Sequence, residues 1–250
     1  MMNYLLRIIT SLLVAGTIIS CNSDNTQECF KMAGDSVLYD IPVETFSSIR
    51  VGQGIELVIA EGPEQRVTVQ TGSNLKEYIT ATVIDGQLQL KNNVNCNWVR
   101  GYNNTTITVT TPTLTQIVTA TQWNVRSAGT LHYPQLNILS GIYEETASAI
   151  VNLEMDSQNL TIDDNQNLYC IISGHVENLN VNFYAGDARF DGRNLDATNV
   201  KVFHRSSNDI IVQASNQVTG TVYATGNLVL VNHPPTVNVN TTYTGRVVYE

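Results

Sequence analysis

Apolar and polar residues alternate along most of the chain in short runs, without the three-to-four-residue spacing of an amphipathic helix. Two such runs flank Asp85 and Gly86, a dipeptide typical of a two-residue hairpin because both positions tolerate positive φ. Two others, residues 55–59 and 66–70, flank the turn sequence EGPEQ. The pattern therefore predicts an all-β protein whose N-terminal part, residues 44–112, consists of antiparallel hairpins.

From about residue 113 the alternation acquires a longer period. Strand pairs begin at aliphatic residues spaced 18 to 24 apart, namely Leu114, Leu136, Leu160, Leu179, Val200, Val218 and Val237. Repeats near this length without helices are typical of a β-solenoid, in which windings stack and like residues form columns. We therefore expect residues 113–250 to form a coil with inward-facing apolar columns and with breaks such as Gly186 and Gly226 at its corners.

Three asparagines, Asn159, Asn178 and Asn199, open successive windings of this repeat. Asparagine tolerates the left-handed backbone geometry of corners, and its amide can donate and accept hydrogen bonds at once. At equivalent corners the three side chains would form a hydrogen-bonded structural ladder. The alternative is that asparagine is simply common in this chain.

The N-terminus has the features of a lipoprotein signal. Arg7 precedes an apolar run, residues 8–19, that is too short to span a bilayer. The sequence IISC, ending at Cys21, resembles the bacterial lipobox, whose cysteine thiol carries the lipid. We expect residues 1–20 to be a signal peptide, Cys21 the lipid attachment site and residues 21–43 a flexible tether. An ordinary cleaved signal followed by a chance cysteine is the alternative.

The charge composition of the chain limits the classes of partner that it is expected to bind. The chain has 250 residues, with 13 Lys and Arg against 22 Asp and Glu, a net charge of −9. This argues against nucleic-acid binding and against a polybasic grip on anionic lipid, because both need clustered cations. The lipobox-like sequence leaves the bacterial outer membrane as the expected partner, bound through the lipid on Cys21, with the protein facing the periplasm or the cell surface. We also expect a monomer.

The other three cysteines show no metal-binding spacing. Cys29 and Cys96 are candidates for a disulfide in an oxidising compartment, whereas Cys170 lies in the apolar run LYCII and is expected in the core. No histidine and cysteine pattern indicates zinc, so we expect neither metal nor cofactor.

Residues 44–250 resemble the putative auto-transporter adhesin, head GIN domain family. The matching positions are Phe46, Ile49, Val51, Gly54, Ile55, Leu57, Ile59, the hairpin from Asp85 to Leu88, residues 219–223, Pro234, Pro235 and Gly245. The resemblance implies a single envelope domain folded as a right-handed parallel β-helix. It brings an adhesin function and no catalytic residues.

The β-helix also occurs in polysaccharide lyases and glycoside hydrolases, so ionisable residues are the first functional candidates. They are Asp163, Asp164, His175, Asp187, Arg189, Asp191, His204, Arg205 and Asp209. Asp163 and Asp164 fit either a carboxylate pair or a solvated turn, and the solvated turn is favoured. His204 and Arg205 are expected at an exposed corner.

Aromatic residues are the second group of candidates, because their rings stack on sugar faces. Trp98, Tyr102 and Trp123 lie in loop-like stretches and are candidates for glycan binding, although structural packing of these rings is the favoured interpretation. The preferred interpretation is a non-catalytic adhesin that binds a glycan or a cell-surface protein. A glycan-cleaving enzyme of the same fold and a purely structural envelope spacer are the alternatives.

Overall fold

The structure, a computed structural model, describes residues 33–94, 105–143 and 149–250, and nearly all of its regular elements are strands. The exception is a short 3₁₀ turn, Lys76–Tyr78. The strands are β1 (Ser36–Ile41), β2 (Ser48–Val51), β3 (Ile55–Glu61), β4 (Arg66–Gly72), β5 (Ile79–Ile84), β6 (Gln87–Asn92), β7 (Thr105–Thr111), β8 (Gln116–Thr119), β9 (Val125–Leu131), β10 (Gln135–Ser140), β11 (Ile150–Asp164), β12 (Tyr169–Phe183), β13 (Arg189–His204), β14 (Ile210–Val222), β15 (Leu228–Leu230), β16 (Thr236–Thr241) and β17 (Val247–Tyr249).

The strands coil into a β-helix of about six turns. One side, the front sheet, runs in the order β5-β6-β2-β8-β10-β11-β12-β13-β14-β16. The other side, the back sheet, runs β1-β4-β7-β3-β9-β11-β12-β13-β14-β15-β17. The long strands β11 to β14 supply their first halves to the back sheet and their second halves to the front sheet. The all-β solenoid predicted from the sequence is thereby confirmed.

The predicted apolar columns are present. Leu160 pairs with Leu179, and Leu179 pairs in turn with Val200. The same column begins at Leu136 and ends at Val237, with its members up to Val218 at most 2% exposed. Because each strand hydrogen-bonds to its neighbour in parallel register, side chains one period apart must stack. The inward column therefore follows directly from the spacing of the repeat.

The structure of the N-terminal part differs from two predictions, the pairing of β3 with β4 and the position at which the coil starts. The hairpin at Asp85 and Gly86 forms, joining β5 to β6, and Asp85 has a φ of 50°. The expected pairing of β3 with β4 is wrong, because β3 lies parallel to β7 and β9, whereas β4 lies antiparallel to β1 and β7. The coil therefore starts at β2 rather than near residue 113. Alternation alone does not distinguish a local partner from a strand one winding away.

Two boundaries also differ from the predictions. Residues 36–41, expected in the tether, form β1, in which alternate residues are half-buried against the core. At the start of the column, Ile138 pairs with Ile117, a register that sets Thr115 rather than Leu114 beside Leu136. Leu114 is still buried, at 1% exposure, in the segment that leads into β8.

Candidate functional site

The front sheet presents a polar face. On the second halves of β11 to β14 and on β16, three outward positions per strand alternate with inward ones, giving fifteen in all. Seven of these residues are Asn, four are Thr and one is Gln, and the others are Asp163, Lys201 and Phe203. The parallel ladder keeps these rows in register, so the polar face offers a regular array of donors and acceptors to whatever binds outside.

One edge of the polar face carries the asparagine ladder. Asn178 Nδ2 donates to Asn159 Oδ1 at 3.2 Å, and Asn199 Nδ2 donates to Asn178 Oδ1 at 3.1 Å. The sequence pattern predicts both hydrogen bonds, but the left-handed backbone expected at these asparagines is wrong, because all three lie within strands and have negative φ. Asn216 adds a further one by donating to Asn199 Oδ1 at 2.8 Å. Asn178 and Asn199 each donate and accept in this ladder, which fixes the orientation of their amides between the windings on either side.

The opposite edge carries three aromatic rings, here called the aromatic row: Tyr184, Phe203 and Tyr223. The ring centroids of Tyr184 and Phe203 lie 5.5 Å apart, and those of Phe203 and Tyr223 lie 4.9 Å apart. Tyr184 and Tyr223 are 40% and 42% exposed, and Phe203 is half-buried between them. The result is an apolar strip beside a hydrogen-bonding surface, the combination that a sugar ring requires.

The aromatic row is fixed by a hydrogen bond to the polar face. Tyr184 Oη donates to Asp163 Oδ1 at 2.9 Å, and Asn182 Nδ2 donates to the same oxygen at 2.9 Å. Partial burial, together with this hydrogen bond and the carboxylate charge, raises the pKa of Tyr184 to about 12. The phenol therefore stays protonated at neutral pH and remains a donor to Asp163.

The aromatic row is absent from the sequence-based predictions. Its members are 19 and 20 residues apart, the period of the asparagine ladder, so a search for aromatic residues at that spacing would have found it. The two tyrosines lie just beyond β12 and β14, where alternation no longer marks which side a residue faces.

Of the predicted glycan-binding residues, only Trp123 lies within the described part of the chain. It is half-buried in the corner loop between β8 and β9, where its backbone N–H donates to Thr121 Oγ1 at 3.0 Å. Trp98 and Tyr102 lie outside the described residues, as do Cys21, Cys29 and Cys96. Cys170 is fully buried in the core, as its apolar context predicts.

The ionisable candidates lie on different sides of the coil. Asp163 faces outward on the polar face, whereas Asp164 is fully buried inside. His204 is also fully buried, so the expectations of a solvated Asp163–Asp164 turn and of an exposed corner at His204 are wrong. Both residues end a front-sheet strand at an inward position, and alternation carries their side chains into the core.

The remaining candidates are dispersed. His175 lies 3.7 Å from Asp196 on the back-sheet side, and Asp191 pairs with Arg193 at 2.9 Å. Asp187, Arg189, Arg205 and Asp209 occupy corner loops or strand ends. Within residues 33–94, 105–143 and 149–250, no group of three or more His, Cys, Asp or Glu side chains could hold a metal ion.

Burial shifts the pKa of the two inward ionisable residues in the direction that favours their neutral forms. Desolvation raises the pKa of Asp164, although its Oδ2 accepts a hydrogen bond from the Gln166 N–H at 2.8 Å. Desolvation also lowers the pKa of His204, so its ring is held neutral. The His204 ring packs edge-on against Phe183 with centroids 6.3 Å apart. Both groups therefore belong to the packed interior.

A second surface feature lies at the N-terminal end of the coil. An apolar groove of about 640 Å³ opens between β1 and β5, with Tyr39, Ile41, Ile79 and Ala81 in its lining. Lys76 crosses it, with Nζ 4.5 Å from the centroid of the Tyr39 ring. Each of these two strands pairs on one side only among the described strands, so the groove marks the point where the apolar interior meets the end of the coil.

Comparison with known families agrees with this architecture. The family model described as putative auto-transporter adhesin, head GIN domain, matches residues 45–234. The chain belongs to this family. The head GIN match spans all but the last winding of the coil, including the polar face up to β14 and the complete aromatic row. No curated protein matches the sequence.

Solved structures show the same fold at low identity. A crystal structure of a putative adhesin from Bacteroides fragilis has a TM-score of 0.75 at 18% identity, covering 86% of this chain and 97% of that one. A putative lipid binding protein from Parabacteroides distasonis has a TM-score of 0.63 at 14% identity, covering 87% and 97%. A putative adhesin from Parabacteroides merdae has a TM-score of 0.59 at 13% identity, covering 88% and 98%. In the described part of this chain, no helix has the length and hydropathy needed to cross a membrane.

Proposed function

We propose that this head GIN domain protein is a non-catalytic adhesin that binds glycan along its front sheet. The observation that carries the proposal is the aromatic row beside the polar face. Sugars present apolar C–H faces and polar hydroxyl rims, so an aromatic strip next to an array of amides and hydroxyls matches both. Three rings in contact offer a sugar more apolar stacking area than one ring would.

Non-catalytic binding is favoured over cleavage by the placement of ionisable groups. General acid–base cleavage of a glycosidic bond needs two carboxyl groups that face the same bound sugar. Asp163 and Asp164 face opposite sides of the front sheet, and Asp163 already accepts two hydrogen bonds at the polar face. A glycan lying on the aromatic row would therefore not meet Asp163 and Asp164 as a catalytic pair.

The proposed location is the bacterial outer membrane, through a lipid on Cys21. Membership of an adhesin-like family supports a place at the cell envelope. The short apolar run before Cys21 and the lipobox-like IISC support lipid attachment. In cells, Cys21→Ser should move the protein from the membrane fraction to the soluble fraction and abolish labelling by a fatty-acid probe. Retention of label in this variant would refute the anchor.

Glycan binding is tested with a printed glycan array and two variants. The double variant Phe203→Leu with Tyr223→Leu keeps apolar bulk and removes two rings of the row. The control is Tyr249→Leu, which removes a ring of similar exposure, 47%, that stacks on His233 elsewhere on the molecule. We expect array binding to be lost in the double variant and kept in the control.

Two results would overturn this proposal. The first is an array on which the unmodified protein binds no glycan, which would favour the structural spacer. The second is release of shortened products from a bound polysaccharide, which would favour the enzyme. Unchanged thermal unfolding of the double variant is the check that loss of binding reflects the lost rings.

A further inference from the structure

Two cations flank the central ring of the aromatic row. Along β13, Val200, Val202 and His204 face inward and are buried, so Lys201 and Phe203 face outward. Arg205 follows Phe203 by two residues and is exposed. Residues two apart on a strand are separated by about 6.6 Å. Lys201 and Arg205 therefore lie on either side of Phe203, within reach of a sugar stacked on its ring.

Two neighbouring cations on the polar side of the coil contrast with the acidic composition of the chain. The protein carries a net charge of −9, and the polar face holds only one acid, Asp163. Asp163 lies two strands away from Phe203 and accepts hydrogen bonds from Asn182 and Tyr184. Its charge is thus engaged within the polar face rather than with either cation.

Neither cation has an acidic partner in the described part of the chain. Among the described residues, Lys201 and Arg205 have no acid within 4.0 Å, a property they share with Lys91, Arg189 and Arg246. What distinguishes them is that they lie together beside the aromatic row. Two exposed cations without an acidic partner, one on β13 and one directly after its last residue, provide local charge complementarity for an anion. Exposed pairs in water contribute little individually, but an anion held against a ring is partly desolvated, which strengthens both contacts.

The geometry points to an acidic polysaccharide as the ligand, and this inference rests on the proposed glycan binding. We propose that one sugar stacks on Phe203 while carboxylate or sulfate groups on that sugar and its neighbours contact Lys201 and Arg205. Arg205 can take two oxygens of one anionic group in its planar fork, and Lys201 acts as a point charge. Tyr184 and Tyr223 extend the stacking surface to the windings on each side.

The test compares polygalacturonate with its fully methyl-esterified form, which keeps the same backbone and removes the charge. The variant is Lys201→Gln with Arg205→Gln, and the control is Lys91→Gln with Arg189→Gln, which changes net charge equally at exposed sites elsewhere. A glycan array that includes acidic glycans and their neutral counterparts is screened first. The affinity of the full mature chain for each of the two polymers is then measured at low and at high salt.

We expect the array to favour acidic glycans and polygalacturonate to bind more tightly than its ester. Removing both cations should weaken polygalacturonate binding by roughly tenfold for each charge-assisted hydrogen bond lost, and salt should weaken it too. The control variant should bind like the unmodified protein. Binding of the ester, which depends on the rings, should be the same in all three proteins.

Several outcomes would overturn the inference. Equal binding of acidic and neutral glycans, still dependent on Phe203 and Tyr223, would leave the adhesin proposal standing and remove the acidic ligand. Equal weakening by the control variant would assign the effect to net charge. Binding through Lys201 and Arg205 to anionic lipid vesicles or to an acidic protein, without glycan binding, would overturn both proposals.

Discussion

Asn178 donates a side-chain hydrogen bond to Asn159 across 19 residues of chain and accepts another from Asn199 across 21. The two bonds join three windings through one amide. Since an amide in this position satisfies a donor and an acceptor at once, its removal leaves two neighbouring amides unsatisfied at a half-buried corner.

Asn178→Ala should lower the free energy of unfolding by about 1–2 kcal/mol, because two side-chain hydrogen bonds are lost. The matched control is Asn180→Ala, two residues along the same strand, whose side chain forms no hydrogen bond among the described residues. Chemical denaturation of both variants measures the difference. Equal destabilisation by the two substitutions would show that the ladder contributes nothing beyond burial.

Leu179→Ala should cost about 2–5 kcal/mol, because it opens a cavity in the middle of a close-packed column. Leu179 is 2% exposed and lies between Leu160 and Val200. Val237→Ala, at the open end of the same column and 36% exposed, should cost under about 1 kcal/mol. Thermal or denaturant unfolding compares them, and similar losses at both positions would contradict the stacked column.

Gly186→Ala should destabilise by more than about 2 kcal/mol. Gly186 has a φ of 84° and closes the corner after Tyr184, and an added Cβ would overlap the carbonyl oxygen of Gln166 one winding below. Gly86→Ala, also at positive φ but with no heavy atom within 4 Å of the new Cβ, should cost roughly 1 kcal/mol.

The comparison of Gly186 with Gly86 separates backbone strain from steric overlap. Both variants are expressed and unfolded under the same conditions. A cost at Gly186 no larger than that at Gly86 would mean that the corner can move away from the winding below, against the tight stacking described for the coil.

His204 should make stability fall as the solution becomes acidic. Its folded-state pKa is lowered by burial, so below the unfolded pKa of about 6.5 the unfolded chain takes up a proton that the folded chain refuses. The stability associated with a neutral His204 is present above that pH and is lost as pH falls. His204→Gln removes this dependence while keeping a polar side chain of similar length.

The measurement is unfolding free energy of both proteins between about pH 7.5 and about pH 5. The unmodified protein should lose more stability than His204→Gln over this interval. Differences between the two that stay constant with pH would show that His204 titrates alike in the folded and unfolded chains.

The periodicity of the sequence predicts the C-terminal windings of the coil correctly, but it does not predict where the coil begins. The column from Leu136 to Val237 could be read from spacing because every winding repeats one inward aliphatic position. The pairing partners of β3 could not be read from the sequence, because an alternating strand fits a local hairpin and a distant parallel neighbour equally well. Only the tertiary arrangement, in which β7 and β9 flank β3, decides between them.

The candidate site was less predictable than the fold. Sequence alone indicated aromatic residues in loops, but the contact of Phe203 with Tyr184 and Tyr223 arises from packing between windings. His204 and Asp164 were expected at the surface, because ionisable residues at strand ends are usually exposed to solvent. The alternation of the strands instead places both side chains in the interior.

Successive strands of the front sheet pair in unbroken register from β10 to β14 and on to β16, which makes each winding of the coil an exchangeable segment. Duplicating one full repeat, such as residues 178–198, would insert a new layer whose front-sheet strand pairs with both neighbours in the existing parallel register. The front sheet would become longer by about 4.8 Å. An insertion of one residue within a strand would instead turn every following side chain of that strand to the other side. The molecule can therefore grow or shrink in whole layers, and the reach of its outer surface is set by layer number without any redesign of the interior.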